Sequence, residues 1–130
     1  MVYSDLPLCE LYIDKGADVN ARNSGNFYAT PLMIAAWTGV ASAIDLLISK
    51  GADVNATDEM GYTALHAAIT GLNRDVVTKL LESGAQVNAV NEKGLSSLHI
   101  LCRTMGDSHD RQSLDIIELL LSYGADPMLR

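Results

Sequence analysis

The chain holds 130 residues, 48% of them hydrophobic and only 5% aromatic, and 16 acidic against 9 basic side chains give it a formal charge of −7. This length excludes two separate globular units, and a composition this apolar excludes a disordered chain. An acidic balance with no run of Lys or Arg argues against nucleic acid as the partner, because that affinity comes from basic groups that displace counterions.

Cys9 and Cys102 show neither a paired spacing nor a disulfide-dense pattern. They are expected to be small buried apolar residues in a reducing compartment. No window reaches the ~18 apolar residues of a membrane span, and no basic segment precedes an apolar stretch at the N-terminus. The chain therefore reads as soluble and intracellular, cytoplasmic or nuclear, with no membrane partner.

Self-similarity organises the rest. Gly16-Ala17-Asp18-Val19-Asn20-Ala21 returns as Gly51-Ala52-Asp53-Val54-Asn55-Ala56, as Gly84-Ala85-Gln86-Val87-Asn88-Ala89, and weakly as Gly124-Ala125-Asp126-Pro127. Thr30, Thr63 and Ser96 keep a strict interval of 33 residues. The glycine intervals of 35, 33 and 40 therefore place two extra residues in the connection before Thr30 and seven within 105–113.

In chain order, Thr30 is an N-cap and Pro31 suits the first helical position, so a helix starts there; Thr63 and Ser96 announce two more. Leu32, Ala35 and Ala36, then Leu65, Ala68 and Ile69, then Leu98, Leu101 and Cys102 fall at i, i+3 and i+4 and give each helix a narrow apolar stripe. Second helices are predicted over about 42–49, 74–82 and 114–122. Their apolar sides are Ile44, Leu47 and Ile48, Val77, Leu80 and Leu81, and Ile117, Leu120 and Leu121. Gly51, Gly84 and Gly124 follow as left-handed helix stops. Short extended pieces, Asp53-Val54-Asn55 and Gln86-Val87-Asn88, then lead into turns at Asp58-Glu59-Met60-Gly61 and Asn91-Glu92-Lys93-Gly94. A unit this small cannot bury its own stripe, so the core is expected to run between stacked neighbours.

Thr30-Pro31-Leu32-Met33-Ile34-Ala35-Ala36 and Gly61-Tyr62-Thr63-Ala64-Leu65-His66-Ala67-Ala68, with the Gly-Ala-Asp-Val-Asn-Ala strings, closely resemble the ankyrin repeat over residues 8–126. The resemblance implies an all-α solenoid of helix-turn-helix units with β-turn fingers. It divides the chain into a half repeat at 1–23, repeats at 24–57 and 58–90, and a repeat at 91–130 that carries the seven-residue insertion between its helices. Met33 replaces the usual His, Tyr28 stands where the turn glycine is expected, and Ser96-Ser97 replaces Thr-Pro. Both ends look open. The expectation is an excised piece of a longer protein, with a free-standing chain or partner-covered ends as alternatives.

His66 and His99 occupy the family's structural position, where a His hydrogen-bonds the Thr or Ser hydroxyl. Zinc needs three or four ligands, and no spaced set exists. The insertion, with its acids and His109, lacks the ligand alternation of a calcium loop. No nucleophile elbow or phosphate-cradling glycine loop occurs, so the reading is non-enzymatic with no metal and no cofactor.

Function is therefore assigned to the surface. The resemblance implies a protein or peptide partner held by the finger tips and the exposed face of the first helices. Carried over position by position, the fingers are Asn26, Phe27, Tyr28 and Ala29, then Asp58, Glu59, Met60 and Tyr62, then Asn91, Glu92, Lys93 and Leu95. The helix positions are Trp37, Thr38, Thr70, Gly71, Arg103 and Thr104. Four of the chain's seven aromatics (five Tyr, one Trp, one Phe) fall among them: Phe27, Tyr28, Trp37 and Tyr62. Trp and Tyr are enriched among interface hot spots. The competing reading has Phe27 and Trp37 filling gaps left by the two-residue finger insertion.

The expected partner-binding set is Phe27, Tyr28, Trp37, Asp58, Glu59, Met60, Tyr62, Lys93 and Arg103. Asp58 and Glu59 suit a partner with apolar anchors and basic character, and Lys93 and Arg103 an acid at its other end. Asn55 and Asn88, each eight residues after a leucine, resemble asparagines that an oxygen-dependent hydroxylase modifies, the plain alternative being a structural role in the turn. The module reads as a recruiting or scaffold segment. The alternatives are a substrate receptor or regulatory subunit of a ubiquitin ligase, or a spacer without its own ligand. Oligomeric state is left open.

Overall fold

A computed structural model describes residues 19–21, 28–105 and 111–126. Six helices account for most of them: α1 (Pro31–Thr38), α2 (Ala41–Ser49), α3 (Ala64–Thr70), α4 (Arg74–Glu82), α5 (Ser97–Met105) and α6 (Arg111–Ser122). No strand occurs among the described residues.

Each first helix starts through the same local chemistry. Thr30 Oγ1 accepts from the Met33 amide at 3.4 Å, and Thr63 Oγ1 and Ser96 Oγ accept from the amides of His66 and His99 at 3.3 Å. The third residue of each helix answers back to the cap's own N–H. His66 Nδ1 accepts it at 3.0 Å and His99 Nδ1 at 3.2 Å, while Met33 offers its sulfur at 3.5 Å. A reciprocal pair of this kind satisfies two donors that a helix start otherwise leaves orphaned.

The second helices stop as the glycines predict. Gly51, Gly84 and Gly124 have φ near +95° (96°, 98° and 94°). The alanine after each reaches back to the helix: Ala52 to Leu47 O, Ala85 to Leu80 O and Ala125 to Leu120 O, at 2.9–3.0 Å. The left-handed residue turns the chain so that two orphan carbonyls gain partners.

Three departures from the sequence reading have physical causes. The segments after these glycines are turns, not extended pieces. Ala56 N–H closes onto Asp53 O at 3.3 Å and Ala89 N–H onto Gln86 O at 3.2 Å. The Asp53 carboxylate, which accepts from Asn55 N–H at 3.0 Å, folds its own backbone over. Next, α6 begins at Arg111, three residues before the predicted start, so part of the insertion is helix. Gln112 at this end donates its Nε2–H to Leu72 O and ties the extension to the α3–α4 connection. Last, Cys102 is exposed, although its equivalents Ala36 and Ile69 are wholly buried. Those two are covered by a following helix pair; among the described residues none covers Cys102.

The helices stack as pairs, α1 on α3 on α5 and α2 on α4 on α6. One continuous core results. Leu32, Ala36 and Ile44 meet Leu65, Ala68, Val76 and Val77, which meet Leu98, Leu101, Ile116 and Leu120. Side chains then bolt one pair to the next. Asn55 Oδ1 accepts from Gln86 N–H at 2.8 Å while its Nδ2 donates to Gly84 O at 3.1 Å. Asn20 does the same with Asp53 and Gly51, and Asn88 with Asp126 and Gly124. A carboxamide suits this place because it carries donor and acceptor side by side, as two adjacent backbone groups require.

Candidate functional site

The fingers owe their shape to one oxygen each. Asp58 Oδ1 accepts from Met60 N–H at 2.8 Å and Tyr62 N–H at 3.0 Å, and Asn91 Oδ1 accepts from Lys93 N–H at 2.9 Å and Leu95 N–H at 3.1 Å. Backbone bonds between Asp58 and Tyr62 and between Asn91 and Leu95 complete the loops, with Gly61 and Gly94 at positive φ. Successive fingers touch: Glu92 N–H donates to Met60 O at 3.1 Å, and a Cβ on Gly61 would lie 3.0 Å from Glu92 N and 3.1 Å from Asn91 Cα. Stacking therefore buries Asn91 to 5% exposure and removes it from the finger surface. Its Nδ2 has no partner there, since the turn uses only the oxygen.

The predicted surface residues separate on inspection. Trp37 is 62% exposed, which argues against the gap-filling reading of this ring. Tyr28, Glu59, Met60, Lys93 and Arg103 are exposed as well, as are Thr38, Thr70, Gly71 and Thr104. Tyr62 is half-buried, its ring edge-on to the His66 imidazole with centroids 5.6 Å apart and planes at 84°. Asp58 is half-buried with one carboxylate oxygen held by its turn. Phe27 and Asn26 lie outside the described residues, as do Cys9 and the insertion's His109. The hydroxylation expectation falls on Asn55 and Asn88, whose carboxamides are the bridges between neighbouring repeats.

Trp37, Tyr62 and Asp58 converge with Ala29, Met33, Ile34, Thr63 and Ala67 on a shallow groove of ≈ 80 Å³ between α1, α3 and the first described finger. Small-molecule pockets run to about 300–1,000 Å³, so this one suits a single side chain of a larger partner. Ile34 and Ala67 escape the sequence reading because attention there rests on the buried stripe. The available signal is that both are apolar yet lie off it, at the fourth residue after each cap.

Tyr28 stands out for its backbone. Its φ is +60°, the left-handed region, at the place where the next two repeats have Gly61 at +83° and Gly94 at +76°. Side chains rarely sit there, at a cost of roughly 1–2 kcal/mol against an ordinary conformation. The only other such residue among those described, Leu72 with φ of +52°, packs against the core, whereas Tyr28 faces outward.

His66 is structural. Its Nδ1 accepts from Thr63 N–H, so its proton is on Nε2, which donates to Leu95 O at 3.2 Å in the following finger. Burial pushes its pKa below the usual histidine value, and the carbonyls of Leu95 and Ala89 and the charge of Asp58 pull upward without overcoming that. Among the described residues no three His, Cys, Asp or Glu side chains lie close enough to hold a metal. No helix among them is long and apolar enough to cross a membrane.

Comparison with known proteins agrees with this architecture. A family model described as ankyrin repeats in three copies matches residues 1–91, and a model described as a single ankyrin repeat matches residues 93–130. A search of curated proteins gave no match.

Proposed function

From the premise that the chain belongs to the ankyrin-repeat family, we propose that it is a non-enzymatic recruiting or scaffold module that binds a protein partner through its fingers and first helices. Ankyrin repeats are in general protein–protein interaction modules. The observation that carries the finer reading is the exposed Trp37, which with Tyr62 lines an apolar groove between α1 and α3. Exposed aromatics next to a groove mark interaction surfaces, and rigid rings supply contact area at little entropic cost. The partner is expected to bring an apolar anchor, with basic character facing Glu59.

The test is affinity capture of partners by the wild-type chain and by Trp37→Ala/Met60→Ala. Both side chains are exposed, so the variant keeps its helical circular dichroism. Loss of the partners held by the wild type supports this face. Unchanged recovery overturns it, and a chain that holds nothing in either form fits the spacer reading. Capture of ubiquitin-ligase components through another surface would favour the substrate-receptor alternative.

A further inference from the structure

The groove between α1 and α3 is lined by an indole, a phenol and one carboxylate, those of Trp37, Tyr62 and Asp58. The residues 33 positions on, at the equivalent place between α3 and α5, are Thr70, Leu95 and Asn91. Both rings and the charge are thus lost together one repeat later, so the repeat itself requires none of them. The finger turn shows this for the charge. Asn91 Oδ1 accepts from Lys93 and Leu95 N–H as Asp58 Oδ1 accepts from Met60 and Tyr62 N–H. A neutral carboxamide therefore shapes the finger equally well, and the negative charge of Asp58 is surplus to it. No Lys or Arg among the described residues pairs with that carboxylate; Lys79 and Arg111 pair with Asp45 and Asp115 on the second helices. Asp58 is half-buried, so water screens its charge only in part. His66 is neutral, since its Nδ1 accepts from Thr63 N–H, and does not oppose a cation beside it.

We propose that this groove is a receptor for a methylated lysine side chain of the protein partner, its alkylated ammonium held by the Trp37 and Tyr62 rings and balanced by Asp58. The inference rests on the protein-binding reading above and joins the apolar anchor and the basic character expected there in one side chain. A cation beside an aromatic ring is attracted by the ring's quadrupole, most strongly by that of an indole. The Tyr62 ring is already positioned by its contact with the His66 imidazole. Hydrogen bonding selects the methylated form. An unmodified lysine ammonium is strongly hydrated and brings three N–H donors. The groove has little to offer them, because the Thr63 hydroxyl accepts from the His66 amide and lies 2.9 Å from its Nδ1, and Asp58 Oδ1 is spent on the turn. The same commitment of Oδ1 denies an arginine the two-oxygen contact it prefers. Methylation keeps the positive charge and replaces donors with methyl groups, which suit the apolar lining of Met33, Ile34 and Ala67.

Short peptide pools, random except for a central lysine that is unmodified or carries one, two or three methyl groups, test this in separate arms on the wild-type chain. A further pool carries the neutral tert-butyl isostere of trimethyllysine. The dimethyl or trimethyl pool is expected to be retained about fivefold or more over both the unmodified and the neutral pools. Asp58→Asn, which keeps the turn as Asn91 does, and Trp37→Ala, which removes an exposed ring, should each abolish most of that preference with helical circular dichroism unchanged. Equal retention of charged and neutral pools overturns the inference and leaves the groove as an apolar anchor site. Retention of the unmodified pool at the level of the methylated ones, or a preference that survives both substitutions, overturns it as well. So does failure to retain any methylated pool, and the partner capture described above then decides the binding face on its own.

Discussion

Tyr28 sets a conformational penalty against an exposed ring. Leu72 shares its left-handed backbone, but the Leu72 side chain packs on the core and gains burial in return. Tyr28 is 45% exposed and stands outside that core, so its left-handed backbone holds an aromatic ring at the finger edge. The Tyr28→Gly variant separates the two effects. Removing about 1–2 kcal/mol of left-handed strain, less the 0.5–1 kcal/mol by which glycine's freedom favours the unfolded chain, should raise stability by roughly 0.5–1 kcal/mol. Urea denaturation is expected to show that gain, while the captured partner dissociates faster. A variant that is both less stable and unchanged in binding would show that the tyrosine is there for packing.

At the scale of the element, the legible part of the fold was whatever is enforced within a few residues. Thr30, Thr63 and Ser96 cap the helices they announce, and Gly51, Gly84 and Gly124 end the helices before them, because both roles depend on local hydrogen bonds and dihedral angles. Asp53 and Asp58 show the limit. Their carboxylates shape turns, which removes extended structure at 53–55 and commits one oxygen of Asp58, a residue first placed on the binding face. His66 was legible as a cap partner, but its bond to Leu95 O is a contact with the next repeat that spacing alone does not show.

Burial of the same imidazole makes the helix start sensitive to pH, since Nδ1 accepts from Thr63 N–H only while it is unprotonated. The folded pKa of His66 lies below the 6.5 of a free histidine, so this group's contribution is fully present above pH 6.5 and is lost as pH falls through the folded value. Denaturation midpoints should therefore drop between pH 7.5 and 5.5. The natural control is His66→Met, which copies Met33. It should cost about 1–3 kcal/mol at neutral pH by leaving Leu95 O without its donor, and it should flatten the pH dependence. An equally steep dependence in that variant would assign the acid sensitivity to other groups.

At the scale of the whole molecule, burial is a property of neighbours, which is why the helices' apolar sides read alike in sequence and differ in structure. Leu81 and Leu121 occupy the same position of successive second helices, yet Leu81 is 4% exposed beneath α6 and Leu121 is 45% exposed. Cys102 behaves as Leu121 does: its equivalents Ala36 and Ile69 are buried, and among the described residues no helix pair covers it. In a stacked array each unit is stabilised by its interfaces, and loss of an internal contact weakens two neighbours at once. Truncating Leu81 to Ala should therefore cost about 2–4 kcal/mol, the range for a buried leucine that leaves a cavity. Truncating Leu121 to Ala should cost less than about 1 kcal/mol, as for other exposed positions. Urea unfolding of the two variants at matched dilute concentration measures the difference. Equal losses would mean that the outer end of α6 is covered in solution, and a loss for Leu121→Ala that grows with protein concentration would identify the cover as a second copy of the chain.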